Sequence, residues 1–280
     1  MKKIAIQGVV GSFHDIAAHL FFKNEELEII PCMTFKDVFK AVKKNPAVIA
    51  VVAIENTIAG SLLQNHDLIK HSGLKIVGEH KLRIKQCICA LPNQKLEDIR
   101  EVQSHPIALM QCVDFLGKLP QVKLVESEDT ADSARVIAQN KLKGVAAICS
   151  SNAAKMYGLT VLQDGIETNK RNFTRFLILC HDNRVEELEA GKPKNKASLV
   201  FSVNHAPGAL SKVLSIFTFY DISLTKIQSL PIIGKEWEYQ FYIDLCYTDY
   251  ERYKQSLEAI KPLTHEFQIL GEYAEGEQTV

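Results

Sequence analysis

A threonine hydroxyl and an arginine guanidinium stand side by side in Arg171-Asn172-Phe173-Thr174-Arg175-Phe176, directly before the apolar run Leu177-Ile178-Leu179-Cys180. In a desolvated pocket a neutral hydroxyl can donate to an oxygen that is gaining negative charge. A guanidinium beside it offers a rigid fork for a carboxylate. Three more polar clusters border apolar runs upstream: Gly8 to Ser12, Glu55 to Ser61, and Ser104 to Gln111. The ends of buried strands are where open α/β folds bind small ligands.

Each cluster also has a plainer reading. Glu55-Asn56-Thr57 follows the all-apolar run Val48 to Ile54 and leads to Gly60-Ser61. Such a run predicts a strand buried on both faces, and a carboxylate directly after it calls for a function. Asn, Thr and Ser are equally helix-capping types, and for Ser61 the two readings balance. Ser104-His105-Pro106 predicts a helix start, with Gln111 a turn and a half in. Free N–H groups there can hold a carboxylate, Ser104 serves as ligand contact or cap, and His105, whose near-neutral pKa suits a general base, reads more simply as a structural hydrogen-bonder. The glycines at 8 and 11 form neither a GxGxxG nor a P-loop, which argues against a nucleotide and for a backbone turn lining a cleft.

The elements that position these clusters alternate through the first 180 residues. Strands are predicted at residues 4–6, 27–30, 48–54, 74–77, 86–90, 122–125, 145–148 and 176–180. Phe35, Val38, Phe39 and Val42 keep helical spacing behind Thr34 as N-cap, and Leu109, Cys112, Val113 and Leu116 repeat it behind Pro106. Strand–helix alternation predicts an α/β fold with mostly parallel sheet, and this many strands suit two lobes around a cleft. Residues 181–196 are charged and nearly free of large apolar side chains, which predicts a linker. Residues 197–275 then follow the order βαββαβ, with Leu210, Val213, Leu214 and Phe217 on one helix face, a ferredoxin-like unit. The polar end, 275–280, is expected to fray.

Bulk composition narrows the function classes. Lys plus Arg and Asp plus Glu number 33 each, so nothing in the net charge favours nucleic acid or a membrane surface. No segment approaches the roughly 18 apolar residues of a membrane span, and Met1-Lys2-Lys3-Ile4 runs into a short strand, not a signal-peptide core. The seven cysteines are odd in number, lie mostly in apolar runs and show no zinc spacing, which suits reduced thiols in the cytoplasm and no metal.

The four clusters together resemble the prephenate dehydratases. Asn172-Phe173-Thr174-Arg175-Phe176 is similar to that family's Asn-x-Thr-Arg-Phe motif, Ile54-Glu55-Asn56-Thr57 to its Glu-Asn-(Ser/Thr) element, and Ser104-His105-Pro106 with Ala108, Gln111 and Cys112 to its Ser-His-Pro helix. Gly11-Ser12-Phe13 matches part of its N-terminal turn, where Val9 replaces the usual proline and His14 stands where a hydroxyl is common. The resemblance implies a two-lobed, periplasmic-binding-protein-like catalytic domain over 1–180 and an ACT regulatory domain over 197–275.

By the same resemblance, Thr174 and Glu55 are the catalytic pair, either of which could supply the proton. Ser12, Asn56, Thr57, Ser104, Gln111, Asn172, Arg175 and Phe176 bind substrate. Prephenate is the substrate, no cofactor is needed, and L-phenylalanine is the effector, at Pro207, Gly208, Ala209, Leu210, Gln228 and Ser229. Gly208-Ala209-Leu210-Ser211 keeps the family's effector turn, but Gln228-Ser229-Leu230-Pro231 replaces its Glu-Ser-Arg-Pro and loses a charged pair. ACT domains work as pairs, so a homodimer or homotetramer is implied. The rivals are an arogenate dehydratase, whose substrate carries an amino group in place of the ketone, and a non-catalytic amino-acid sensor.

Overall fold

In a computed structural model describing residues 1–279, the chain divides into two compact units. Val280, part of the end expected to fray, lies outside the described residues. The first unit takes Met1–Gly60, His80–Phe176 and residues 278–279, and the second takes Ser61–Glu79 and Leu177–Glu277. These divisions fall elsewhere than at 180 and 197.

One sheet runs in the order Gln278–Thr279, Lys75–Arg83, Phe173–Cys180, Val48–Asn56, Lys2–Gln7 and Leu27–Cys32. Val48–Asn56 is apolar from Val48 to Ile54 because it lies inside the sheet, and every one of those residues is buried. Lys3 to Ile6 pair in parallel with Val48 to Val51. Phe35–Lys44 follows the predicted helical spacing, buries Val38, Phe39 and Val42, and is capped by Thr34, whose Oγ1 accepts from Asp37 N at 3.2 Å. Phe173–Cys180 starts three residues earlier than the apolar run suggested, so Thr174 and Arg175 lie within the strand.

A second sheet, wholly within the first unit, has the order Thr160–Asp164, Cys87–Ala90, Val145–Cys149, Glu101–Ser104 and Lys123–Glu126. It is mixed, not mostly parallel: Cys87–Ala90 runs antiparallel to both neighbours, whereas Glu101–Ser104 is parallel to both of its own. Antiparallel neighbours need no helical crossover, and strand–helix alternation conceals such a pair. The helix predicted from Pro106 breaks at Cys112 into Pro106–Gln111 and Val113–Leu116.

The glycine turn joins the two lobes. Gly11 has φ +91°, and a Cβ there would stand 3.1 Å from the backbone of Ala153. The Ser150 hydroxyl donates to Gly11 O at 2.8 Å, and the Tyr157 hydroxyl to Val10 O at 2.8 Å. The turn packs one lobe on the other; the expected role as a cleft wall is not what fixes its glycines.

In the second unit Lys196–Ser202, Ala209–Phe219, Ser223–Pro231, Tyr239–Cys246, Tyr250–Ile260 and His265–Tyr273 realise the order βαββαβ. The four strands form an antiparallel sheet in which Ser223–Pro231 is an edge. Val213, Phe217, Tyr253, Leu257 and Ile260 fill its core, and Tyr247 stacks on Tyr253 with ring centroids 4.1 Å apart. Ser61–Glu79 packs here as well: Glu79 forms a buried ion pair with Lys196 at 2.8 Å.

Two expectations need correction. Residues 181–196 are not a bare linker, since they hold a 3-10 turn at Asp182–Arg184, the helix Val185–Glu189 with Leu188 buried, and the first residue of a strand. Ion pairs Arg184–Glu187 and Lys194–Glu189 account for the charges that made the segment look unstructured. Within the polar end, Gln278 and Thr279 do not fray, because they pair in parallel with Lys81 and Leu82.

Candidate active site

Glu55, Asn56 and Thr57, at the end of a buried strand, meet Phe173, Thr174 and Arg175 around a cavity of about 200 Å³. Lys81 and Gln278 complete its lining. Two backbone–side-chain bonds hold the strand ends together: Phe173 N donates to Thr57 Oγ1 at 2.9 Å, and Thr57 Oγ1 donates to Arg171 O at 3.0 Å. Thr57 N also donates to Phe173 O at 2.9 Å.

Asn56 is the hub. Its Nδ2 donates to Asn172 Oδ1 at 2.8 Å, Phe173 O at 3.1 Å and Thr174 Oγ1 at 3.0 Å. Its Oδ1 accepts from Ile58 N and Ala59 N at 2.9 and 2.8 Å. An aspartate could not do this, because only an amide has a donor and an acceptor end. Since Thr174 Oγ1 accepts from Asn56, its own proton is left to point to another acceptor. Arg175 is nearly buried and its Nη1 donates to Glu55 Oε1 at 3.1 Å, so Glu55 enters the site as the anionic half of an ion pair.

His14 supports the site from behind. Its Nε2 accepts from Ala53 N at 3.3 Å, and its ring meets Phe176 edge-on at 5.0 Å and Phe35 at 5.6 Å. Burial lowers its pKa to about 3, so the ring is neutral and free to accept.

The structure gathers some of the sequence-derived candidates and disperses others. Glu55, Asn56, Thr57, Thr174 and Arg175 line the cavity, and buried Asn172 contacts it through Asn56. Phe176 is a core wall against His14. Gln111 is buried, and its Nε2 donates to Asn56 Oδ1 at 3.5 Å. Ser12 caps the helix Phe13–Phe21, and the Ser104 hydroxyl donates to Ile148 O at 2.6 Å. Both serine hydroxyls thus have structural partners, and neither residue lines the cavity.

His105 caps its helix by accepting from Ile107 N at 3.2 Å, and burial lowers its pKa, in keeping with a structural role. Ser61 is no helix cap, since it accepts from Lys226 Nζ at 3.2 Å. In the second unit Pro207 precedes Gly208, whose φ of +74° opens the helix that begins Ala209-Leu210, and Gln228 Nε2 donates to Ser229 O at 2.9 Å on the edge strand. Sequence reasoning missed Lys81 and Gln278. Both sit in polar runs, Glu79-His80-Lys81 and Glu277-Gln278-Thr279, that carry no motif of the site, and the pairing of two strands far apart in the chain brings them together.

Comparisons with known proteins follow the same lines. The profile of the family described as Prephenate dehydratase matches residues 4–184. The Arabidopsis thaliana protein "Arogenate dehydratase/prephenate dehydratase 6, chloroplastic" is 37% identical over 287 residues, covering 97% of this chain and 68% of that protein. A prephenate dehydratase from Arthrobacter aurescens, solved in complex with L-Phe, superposes with a TM-score of 0.85 at 27% identity, over 98% of this chain and 90% of that one. The quorum quenching acylase GqqA superposes equally well, with TM-score 0.85, 29% identity and 98% of both chains covered.

Proposed function

Because the chain belongs to the prephenate dehydratase family, we propose that it converts prephenate to phenylpyruvate on the way to L-phenylalanine. The observation that carries this reading is the Thr174 hydroxyl, held as an acceptor by Asn56 beside the Glu55–Arg175 pair in the cavity.

In the reaction the ring C–O bond breaks as the hydroxyl leaves, and the C–C bond to the ring carboxylate gives its electron pair to the ring. Carbon dioxide and water depart, one proton is taken up, and the ring becomes aromatic. Thr174 donates to the departing oxygen, where charge develops in the transition state. That proton is replaced from solvent. Glu55 orients Arg175 and is not the acid, since its partner is a guanidinium. Arg175 holds a carboxylate of the substrate. Decarboxylation is favoured where the leaving carboxylate is not itself bound by a cation, so Arg175 serves the carboxylate that stays.

Residues 1–180 act as the catalytic domain and 197–275 as an ACT domain that binds phenylalanine near Gly208 and Gln228. A complex with L-Phe in the Arthrobacter relative supports the effector. Feedback here is weaker than in relatives with a charged effector loop, because Gln228 and Leu230 cannot form the missing ion pair. Pairing of two such domains makes the enzyme a dimer or a dimer of dimers. Seven free thiols support a reducing compartment, the cytoplasm. Among the described residues no helix is long and apolar enough to cross a membrane.

Arogenate is the second reading, favoured by the Arabidopsis relative's name. Purified protein supplied with prephenate or with arogenate separates the two. Phenylpyruvate formed at a higher kcat/KM than phenylalanine supports the proposal, the reverse ratio gives the arogenate enzyme, and turnover of neither refutes both.

A further inference from the structure

We propose that Glu167 is a positioning residue for the reaction: its buried carboxylate clasps the two chain crossovers between the lobes and, through Thr168 and Gln111, sets the Asn56 amide that aims the Thr174 hydroxyl. This rests on the dehydratase reading above and extends it to residues outside the cavity.

The chain passes from the first sheet to the second through residues 84–86 and returns through residues 165–172. The two crossovers run side by side. Ile84 N donates to Asn172 O at 2.7 Å, Ile166 N to Gln86 O at 2.9 Å, and Gln86 N to Glu167 Oε2 at 3.0 Å. The Glu167 side chain is fully buried. Its Oε1 accepts no hydrogen bond among the described residues, and Lys170 Nζ and Arg83 Nη2 stand 3.7 and 3.8 Å from it. A buried carboxylate bonded so sparingly costs stability, and an apolar side chain in such a place is often neutral or stabilising. Upkeep of the fold alone does not account for it.

Both ends of the Asn56 amide trace back to these crossovers. On one side Asn172, whose carbonyl takes the Ile84 N–H, accepts from Asn56 Nδ2 at 2.8 Å through its Oδ1. On the other, Gln111 Nε2 donates to Asn56 Oδ1 at 3.5 Å. Gln111 closes the helix Pro106–Gln111, and Thr168, next to Glu167, fixes that helix end. Thr168 N donates to Gln111 O at 2.8 Å, and Thr168 Oγ1 accepts from Asp114 N at 3.2 Å. A side-chain amide has a donor end and an acceptor end, and turning it over would present oxygen to Thr174. Held as it is, Asn56 Nδ2 donates to Thr174 Oγ1 at 3.0 Å and leaves the hydroxyl proton for the departing oxygen. That contact matters where charge develops, so disturbing it acts on kcat more than on KM. Prephenate and arogenate share the departing hydroxyl, so both substrates feel the same loss.

The test is steady-state kinetics on prephenate and arogenate with the full chain and with Glu167→Leu, Glu167→Gln, Thr168→Val, Gln111→Leu and the double variant Glu167→Leu with Gln111→Leu. Glu167→Leu removes the acceptor of Gln86 N and should lower kcat roughly ten- to hundredfold on whichever substrate is turned over, with KM within about threefold. Glu167→Gln keeps a carbonyl for Gln86 N and retains kcat within about threefold. Because Glu167 acts through Gln111, the double variant is no slower than Gln111→Leu alone, whereas independent damage to the fold multiplies. Thr168→Val, which removes the acceptor of Asp114 N, lowers kcat in the same direction and decides the matter where Glu167→Leu does not fold. With the full chain active, the proposal is overturned by near-normal kcat in Glu167→Leu, or in Thr168→Val where the leucine variant does not fold. Equal losses in the leucine and glutamine variants, or multiplied losses in the double variant, overturn it as well. Each of these leaves the dehydratase reading intact. A full chain inactive on both substrates overturns that reading and this one with it.

Discussion

Replacing His14 by glutamine should remove about 2 kcal/mol of acid sensitivity at pH 5. The His14 ring is buried between Phe35 and Phe176, and its pKa falls from 6.5 to about 3. Between those values the unfolded chain binds a proton at this site and the folded chain does not, so folding stability rises with pH through the window and is lost as pH falls. At pH 5 the unfolded imidazole is about 1.5 units below its own pKa. At 1.36 kcal/mol per unit this is about 2 kcal/mol lost relative to pH 8, growing to about 4–5 kcal/mol near pH 3. Glutamine can still accept from Ala53 N, as the imidazole does at 3.3 Å, but has nothing to titrate.

Urea unfolding of both proteins at pH 8 and pH 5, compared as a difference of differences, cancels the other histidines. NMR of the His14 ring is the direct check, because its resonance should stay constant from pH 8 to pH 5. An ordinary titration near pH 6.5, or an equal acid loss in wild type and variant, would refute the burial argument. Such a result would also remove the claim that a neutral ring props the strand carrying Glu55 and Asn56.

Thr174→Ala should lower kcat by about 10²–10⁴ with little change in KM, the scale for one acid–base or oxyanion-type donor; near-normal kcat in a stopped assay of phenylpyruvate would remove Thr174 from the chemistry. Asn56→Asp keeps the shape but turns an oxygen toward Asn172 Oδ1, Phe173 O and Thr174 Oγ1. We expect a loss of about 2–4 kcal/mol in urea unfolding together with a fall in kcat, and wild-type stability would contradict the hydrogen-bond assignment. Lys196→Ala leaves Glu79 buried without its ammonium and should destabilise the protein by about 3–5 kcal/mol. Lys196→Met combined with Glu79→Leu should recover much of that loss in the same melts.

The sequence alone determined which residues could do chemistry. An all-apolar run ending in Glu55-Asn56-Thr57 is best explained by a covered strand with polar groups at its end, and the Asn172 to Phe176 run declared a hydroxyl beside a guanidinium. Helical spacing behind Thr34 and the order βαββαβ were legible for the same reason, since both are local periodicities. Tertiary structure decided what local pattern cannot encode. Ser12 and Ser104 look like ligand groups in one dimension, but each has a structural partner: a helix end for Ser12 and the Ile148 carbonyl for Ser104. The mixed second sheet and the helix within 181–196 were hidden because strand direction and a single buried Leu188 leave no periodic signal. The pairing of Gln278 with Lys81 joins segments far apart in the chain, as the Gly276–Glu79 bond beside it does across 197 residues. Strand pairing at such separation is set by backbone hydrogen bonds and a glycine's missing Cβ. No run of side chains announces it.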